Sequence, residues 1–349
     1  MNERDVIKAF KADPIIRLHT TSENAIGWIE KHLNFTHLPE KICLFKDKFA
    51  FRELTGDLFP DLFYKKVQYE ELDNLKPDQL PFPFIIKPNI GFFSMGVHKV
   101  LNPDHWPAIK DKIKNEVKEV QAVYPTSVLN TASFIIEECI EGDEYAFDAY
   151  FDEDGEAVLL GVMKHVFSGA EDVSDRLYMT SRSIVKGQLE AIDELLGHIG
   201  QKAFLRNFSL HVEVRLDTKG RPVPIEVNPL RFGAWCTSAD LAHYAFGFNP
   251  YHYYIAGLKP DWEDIFSSNS DDIYSIVILD NSTGYTADQI KSFDYDKFLA
   301  SFENPLELRK IDYHRYPMFA ILFVRSRREN YKEVDDILRS DLREFVELR

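Results

Sequence analysis

Two acidic residues set inside alternating apolar strands constrain this chain more than any other feature. The segment SLHVEVRLDTKGRPVPIEVNP (209–229) reads as a strand, a turn at Lys219 and Gly220, and a second strand, with Glu213 and Glu226 thirteen positions apart. Burying a carboxylate costs several kcal/mol unless it is paired or bound to a cation. A hairpin can bring both acids to one face, and the strand period points Asn228, two residues beyond Glu226, to the same side. Two carboxylates and an amide oxygen are hard oxygen ligands suited to Mg²⁺. By itself the hairpin reads equally as a solvated strand face with alternating charges.

A second segment, KPNIGFFSMGV, follows the apolar strand FIIK (84–87). It offers Gly91 and Gly96 for close backbone approach, Ser94 as a hydroxyl donor and Lys87 as a cation at the strand end. Backbone N–H groups of such a loop can hold phosphates. The loop fits neither GxxxxGK[ST] nor GxGxxG, so P-loop and Rossmann readings lose support. Taken alone, Lys87 reads also as a strand-edge lysine with its head in water. The third segment is the acidic turn Glu137-Glu138-Cys139-Ile140-Glu141-Gly142-Asp143-Glu144. A strand leading into such a turn can present backbone groups to an adenine edge, and a later carboxylate can accept ribose hydroxyls; the alternative is a solvated turn.

Composition narrows the function classes. With 57 acidic against 41 basic residues and a net charge of -16, the chain lacks the electrostatic footprint of a nucleic-acid or anionic-membrane binder, so an anionic ligand requires a local basic cluster. Cys43, Cys139 and Cys236 lie far apart without CxxC or zinc spacing, which favours a reducing, cytoplasmic setting without disulfides or structural metal. The first residues, MNERDVIKAFKADP, lack the apolar core of a signal peptide. The longest apolar stretches, IYSIVIL and MFAILFV, have strand length.

Along the chain, residues 1–46 mix short apolar runs (IIRLHT, ICLF) with an amphipathic stretch and read as a small α/β region. DKFAFRELTG reads as a helix ending near Gly56, and the prolines of YEELDNLKPDQLPFP mark a boundary before FIIK. FIIEECI (134–140) and the stretch around the DEDG turn read as antiparallel strands, with helices predicted in HWPAIKDKIKNEVKEVQAV and KGQLEAIDELLGHIGQKAF. SGAEDVSDRLYMTSRS (168–183) reads as a polar surface loop and a candidate lid. The expected divisions are 1–46, a domain over 47–260 with halves near 76–140 and 141–260, and an α+β appendage over 261–349 closing in a helix, EVDDILRSDLREFVEL.

Together and in this order the segments resemble the ATP-grasp superfamily, whose members clasp ATP between two α+β subdomains and mostly form acid–amine or acid–thiol bonds. The resemblance spans about 47–257 and rests on the DK helix start, KPxxGxxSxGV, ExxIxGxE and the paired-acid strands ending in EVNP. It implies an α+β, ATP-grasp fold. By the same resemblance Lys48, with Lys46 as fallback, and Lys87 would be the nucleotide-binding lysines. Gly91, Ser94 and Gly96 would cover the β- and γ-phosphates, while Glu137, the main chain of Glu138 and Ile140, and Glu144 would contact adenine and ribose. Cys139 would pack at the hinge, and Glu213, Glu226 and Asn228 would hold Mg²⁺, with Mn²⁺ the alternative.

The chain departs from common versions at NPLRFGAW, which displaces Arg231 by one residue; it is the candidate for binding substrate carboxylate or the transferred phosphate, a surface role being the alternative. His211 stands where some branches carry arginine. Lys164 is a candidate catalytic lysine, and Lys164, His165, Arg176 and Arg182 flank or lie on the proposed lid, where each reads also as solvated. The expectation is an ATP- and Mg²⁺-dependent ligase that turns a carboxylate into an acylphosphate for attack by an amine, acting on small molecules, with homo-oligomerisation left open. A small-molecule kinase on the same fold and a non-catalytic nucleotide-binding protein are the alternatives.

Overall fold

The computed structural model describes residues 2–91, 96–120, 130–169, 172, 174–268 and 270–349. The chain forms two compact units. The first comprises 1–142, 150–157 and 194–231, and the second 143–149, 158–193 and 232–349. The acid hairpin therefore shares a unit with Lys48 and Lys87, whereas the linear ranges expected from the sequence put it in a different half from Lys87.

In the first unit, strands Tyr64–Gln68, Asn130–Glu138, Phe84–Ile90 and His98–Val100 form a four-stranded sheet in that order, every neighbour antiparallel. Alternation divides its faces. Phe84, Ile86, Phe134 and Ile136 join a buried cluster with Trp106, Ile113 and Val117 of helix Trp106–Val120. Ile85 and Lys87, with Ile135 and Glu137, then take the opposite face. Burying one face against a helix thus sends a lysine and a glutamate to the other.

The hairpin forms as the sequence predicts, from Phe208–Leu216 and Pro222–Pro229. Gly220 adopts φ +76° in its turn, and Asp217 accepts from the backbone N–H groups of Lys219 and Arg221 at 2.8 and 2.9 Å. The N-terminal residues differ from expectation. They form helices Glu3–Ala12, Asn24–His32 and Leu38–Lys46, and the run IIRLHT supplies one parallel bridge, Leu18 to Phe208. ICLF is helical because Ile42, Phe45 and Lys46 fall at i, i+3 and i+4 and are all buried, after a proline in the first turn. A four-residue apolar run cannot by itself distinguish that spacing from a strand.

In the second unit, Pro305–Lys310, Met318–Ser326, Ile273–Asp280, Leu177–Thr180 and Ala157–His165 neighbour one another in that order, all antiparallel. This corrects the proposed lid. Leu177–Thr180 is a strand paired on both sides, Lys164 with Met179 and Tyr274 with Thr180, and Arg182 opens helix Arg182–Ala203. Residues 170, 171 and 173 of that segment lie outside the described residues. The closing helix also stops early: it spans Lys332–Arg339, Leu342 turns into the left-handed region at φ +60°, and Val346–Leu348 pairs as a strand with Ile290–Phe293. Among the described residues no helix is long and apolar enough to cross a membrane.

Gly142, after the hinge strand, sits where a Cβ would lie 1.8 Å from the Leu216 carbonyl oxygen. The contact is to backbone, so no side-chain rotation can relieve it. Gly142→Ala should therefore lower unfolding free energy by about 1–3 kcal/mol. A denaturant titration checks this, and an unchanged midpoint would mean that the hinge and hairpin do not approach as described.

Candidate functional site

Helix Lys48–Thr55 begins at Asp47, whose carboxylate accepts from the Ala50 N–H at 2.8 Å. Lys48, Phe51, Arg52 and Thr55 are its buried residues, an i, i+3, i+4, i+7 stripe that puts two cations on the inward face one turn apart. Asn89, at the end of the Lys87 strand, accepts from the Phe49 N–H at 2.9 Å and fixes the helix start.

Glu137 is the anchor of this region. It is 4% exposed, and its carboxylate is shared between the Arg52 guanidinium and the Lys87 ammonium, the latter at 2.7 Å. Burial alone would raise its pKa, but the two cations outweigh burial and hold it at about 2. Burial pushes the Lys87 ammonium down, with Glu137 opposing. Glu137, expected from the resemblance to contact the nucleotide, is held in a buried ion pair with Arg52 and Lys87 and aims the Lys87 ammonium. Nη1 of Arg52 is buried without a hydrogen-bond partner.

Glu213 and Glu226 are direct cross-strand partners, and His211 faces Asn228 one pair further along. All four side chains therefore lie on one face. Carboxylates directly opposed across a ladder repel; the Lys48 ammonium sits against one of them, 3.7 Å from Glu226, and His211 Nε2 lies 3.7 Å from Glu213. Burial would raise the Glu226 carboxyl, yet Lys48, then Lys46, Lys87 and Arg231 hold it below the usual range. A register shift beside Glu213 leaves Ile225 without a cross-strand partner, and its carbonyl accepts from Lys87 at 3.0 Å. Lys48 donates to the Gly91 carbonyl at 3.3 Å.

Among the described residues no three His, Cys, Asp or Glu side chains converge as a metal cage. The donor set is two carboxylates and an amide. It fits a hard divalent cation: Asn228 is 1% exposed and its Oδ1 has no hydrogen-bond partner, an acceptor buried beside opposed carboxylates.

Gly96 takes φ +72°, with a Cβ position 3.0 Å from Pro88 Cγ, so both backbone and space require glycine there. Ser94 lies outside the described residues. The hinge borders a cavity of about 570 Å³ whose walls include Pro83, Glu138, Cys139, Ile140, Asp217 and Arg221. Neither lysine and none of the proposed metal ligands lines it. The Glu138 N–H donates to the Phe63 carbonyl at 3.1 Å, and the Ile140 carbonyl accepts from Arg215 at 3.3 Å.

Lys46, the fallback lysine, ends helix Leu38–Lys46 and pairs with Glu23 at 3.1 Å; Arg231 reaches the other oxygen of Glu23 at 2.9 Å. Glu144, Lys164, His165, Arg176 and Arg182 belong to the second unit. There Glu144 meets His165 Nδ1 at 2.8 Å, and Lys164 pairs with Asp143 at 2.6 Å. Arg176 donates to the Leu338 and Ser340 carbonyls, and Arg182 to the Phe266 carbonyl. These arginines tie the C-terminal region together, which replaces the reading of them as solvated. Arg52 and Glu23 were missed. The i+4 offset from Lys48 marks Arg52 in the sequence, whereas nothing local marks Glu23.

A family model for the ATP-grasp domain matches residues 80–239. Residues 80–239 thus carry an ATP-grasp domain. Solved structures share the ATP-grasp fold across nearly the whole chain. An L-amino acid ligase from Bacillus licheniformis superposes with a TM-score of 0.67 at 17% identity, covering 99% of this chain and 83% of that one. The biotin carboxylase domain of 2-oxoglutarate carboxylase from Hydrogenobacter thermophilus, crystallised with MgADP, ADP and bicarbonate, gives 0.61 at 15%, covering 99% and 77%. N5-carboxyaminoimidazole ribonucleotide synthetase from Thermotoga maritima gives 0.59 at 16%, covering 93% and 79%. No curated protein matches the chain. Glu23, Lys46, Lys48 and Arg52 all precede the matched ATP-grasp range.

Removing one partner of a buried ion pair leaves an uncompensated charge, so Glu137→Gln and Arg52→Met should each cost about 3–5 kcal/mol at neutral pH. The pH dependence has a definite sign. The folded Glu137 carboxyl titrates below the unfolded one, so its stabilisation is complete above the ordinary glutamate range and is lost as pH falls through about 2. Melting temperature measured against pH should lose this acid-sensitive limb in Glu137→Gln; superimposable profiles would contradict the assignment.

Proposed function

We propose that the protein is an ATP- and Mg²⁺-dependent ligase that activates a substrate carboxylate as an acylphosphate and passes the acyl group to an amine. The observation that carries this reading is the convergence, in one compact unit, of the opposed pair Glu213 and Glu226, the buried partnerless oxygen of Asn228, and the lysines Lys48 and Lys87. No nucleophile–base pair is required, because phosphoryl transfer depends on positioning and charge stabilisation.

In this reading Lys48 and Lys87 bind the polyphosphate, with the Gly91 to Gly96 loop against it. Glu137 and Arg52 keep Lys87 aimed, and Arg231 orients the acid. Glu213, Glu226 and Asn228 would hold Mg²⁺, which supplies charge neutralisation for the transferring phosphoryl group. A carboxylate oxygen attacks the γ-phosphorus, the bond to the bridging oxygen breaks, and ADP leaves with the electron pair. The amine nitrogen then attacks the acyl carbon, inorganic phosphate leaves, and the nitrogen loses its proton to solvent.

The test is a screen for ADP release from Mg-ATP against paired panels of acids and amines. Release requiring both an acid and an amine supports the ligase; release with an acid or alcohol alone indicates a kinase, and nucleotide binding without release indicates a non-catalytic protein. With the active pair, Glu226→Ala should lower turnover at least ~10²-fold with little change in the melt, and Lys87→Met should lower kcat/KM for ATP by about 10²-fold or more. Wild-type rates in either variant would remove that residue from the mechanism.

A further inference from the structure

The acid-binding end of the site carries a feature that phosphate chemistry does not explain. Glu23, at the start of helix Asn24–His32, spans two cations: Lys46 on one carboxylate oxygen at 3.1 Å and Arg231 on the other at 2.9 Å. The Lys46 side chain is 4% exposed, while Glu23 and Arg231 are 15% and 16% exposed, so the cluster is buried at the lysine and open at its other end. All three residues lie in the first unit. Helix Leu38–Lys46 packs against strand Pro222–Pro229, which carries Glu226 and Asn228, and Arg231 follows that strand by two residues, so the cluster lies beside the proposed metal pair.

A bare Lys46–Arg231 pair would carry two positive charges and would favour a dianion. Glu23 removes one of them and keeps both cations aligned. Its carboxylate has about four lone-pair sites, two of them used by these contacts, so it can stay in place while a ligand joins the cations. A second carboxylate or a phosphate on that ligand would be opposed by the charge of Glu23. Such repulsion is the usual route to charge specificity.

We propose that Glu23 is a specificity-determining residue that offsets part of the positive charge of Lys46 and Arg231 at the acid-binding end, so that it accepts acids presenting one carboxylate and turns away dicarboxylates and phosphorylated acids. The inference rests on the ligase reading and names the substrate class of its acid site. It assigns a role to the N-terminal helices, which lie outside the matched ATP-grasp range.

The experiment uses size-matched probes that differ by one carboxylate: asparagine and aspartate, glutamine and glutamate, butyrate and succinate, valerate and glutarate. ADP release from Mg-ATP is measured for the wild type, Glu23→Gln and Glu23→Asp, with hydroxylamine as the nucleophile. The wild type should favour the one-carboxylate member by about tenfold or more in kcat/KM, the scale of one close charge at intermediate dielectric. Glu23→Gln should reduce that ratio about tenfold, and Glu23→Asp should keep it. A wild-type preference for the dicarboxylates, or a ratio unmoved in Glu23→Gln, overturns the proposal. If no acid drives ADP release, the ligase reading fails, and calorimetric titration of the same pairs into protein with Mg²⁺ and a non-hydrolysable ATP analogue decides this inference separately. Equal affinity within pairs, or no binding of any member, overturns it. Lys46→Met, which lowers the charge of the cluster to zero, provides a second variant should Glu23→Gln fail to fold: it should weaken the one-carboxylate members about tenfold, and unchanged affinity would overturn the proposal.

Discussion

The burial of Glu137 between Arg52 and Lys87 is the constraint on which the rest of the first unit depends. A carboxylate at 4% exposure is tolerable only with its charge answered, and the two answering cations come from a helix and a neighbouring strand. Lys87 also reaches the carbonyl of Ile225, and the next residue, Glu226, meets Lys48, one helical turn before Arg52. The ring closes on itself. Helix, sheet and hairpin are held by one circuit of charge, and the groups that stabilise it are those that would receive ATP.

This circuit also shows how a chain with a net charge of -16 can gather a local cluster of cations. Lys46, Lys48, Arg52, Lys87 and Arg231 converge around Glu23, Glu137, Glu213 and Glu226. Five cations against four carboxylates leave little excess field while no ligand is bound. Each cation has a designated partner, so the positive groups are oriented before a ligand arrives. Preorganisation of this kind limits what phosphoryl transfer must reorganise. A divalent cation between Glu213 and Glu226 would release Lys48 from its share of that neutralisation.

Much of the geometry of the acid hairpin and the Lys87 strand was legible in the sequence because it is written in local periodicities. The strand period put Glu213, Glu226 and Asn228 on one face, the turn residues located the hairpin, and alternation along FIIK separated Lys87 from the apolar face. What failed to show was whatever depends on distant partners. The ion pair of Glu137 stayed hidden because nothing nearby in sequence reveals Arg52, eighty-five residues earlier, as its partner. ICLF was ambiguous because four apolar residues satisfy helix and strand alike, and 177–180 looked like loop because its pairing partners lie in strands remote in sequence.

The two ends of the site therefore differ in how they are built. The groups proposed for phosphate and metal sit largely on strands and a hairpin within the range that matches the ATP-grasp family, where a shared nucleotide would demand shared spacing. The end proposed to bind the acid joins Glu23, Lys46 and Arg231, separated by up to 208 positions, and two of the three precede that range. Substrate discrimination needs only a net charge and an opening, which many arrangements of side chains can supply. Nucleotide geometry recurs on a fixed pattern, while charge selection can be placed on any element that reaches the site. The N-terminal helices reach it through one carboxylate, and that contact requires Leu38–Lys46 to be a helix, since only that spacing buries Lys46 along with Ile42 and Phe45.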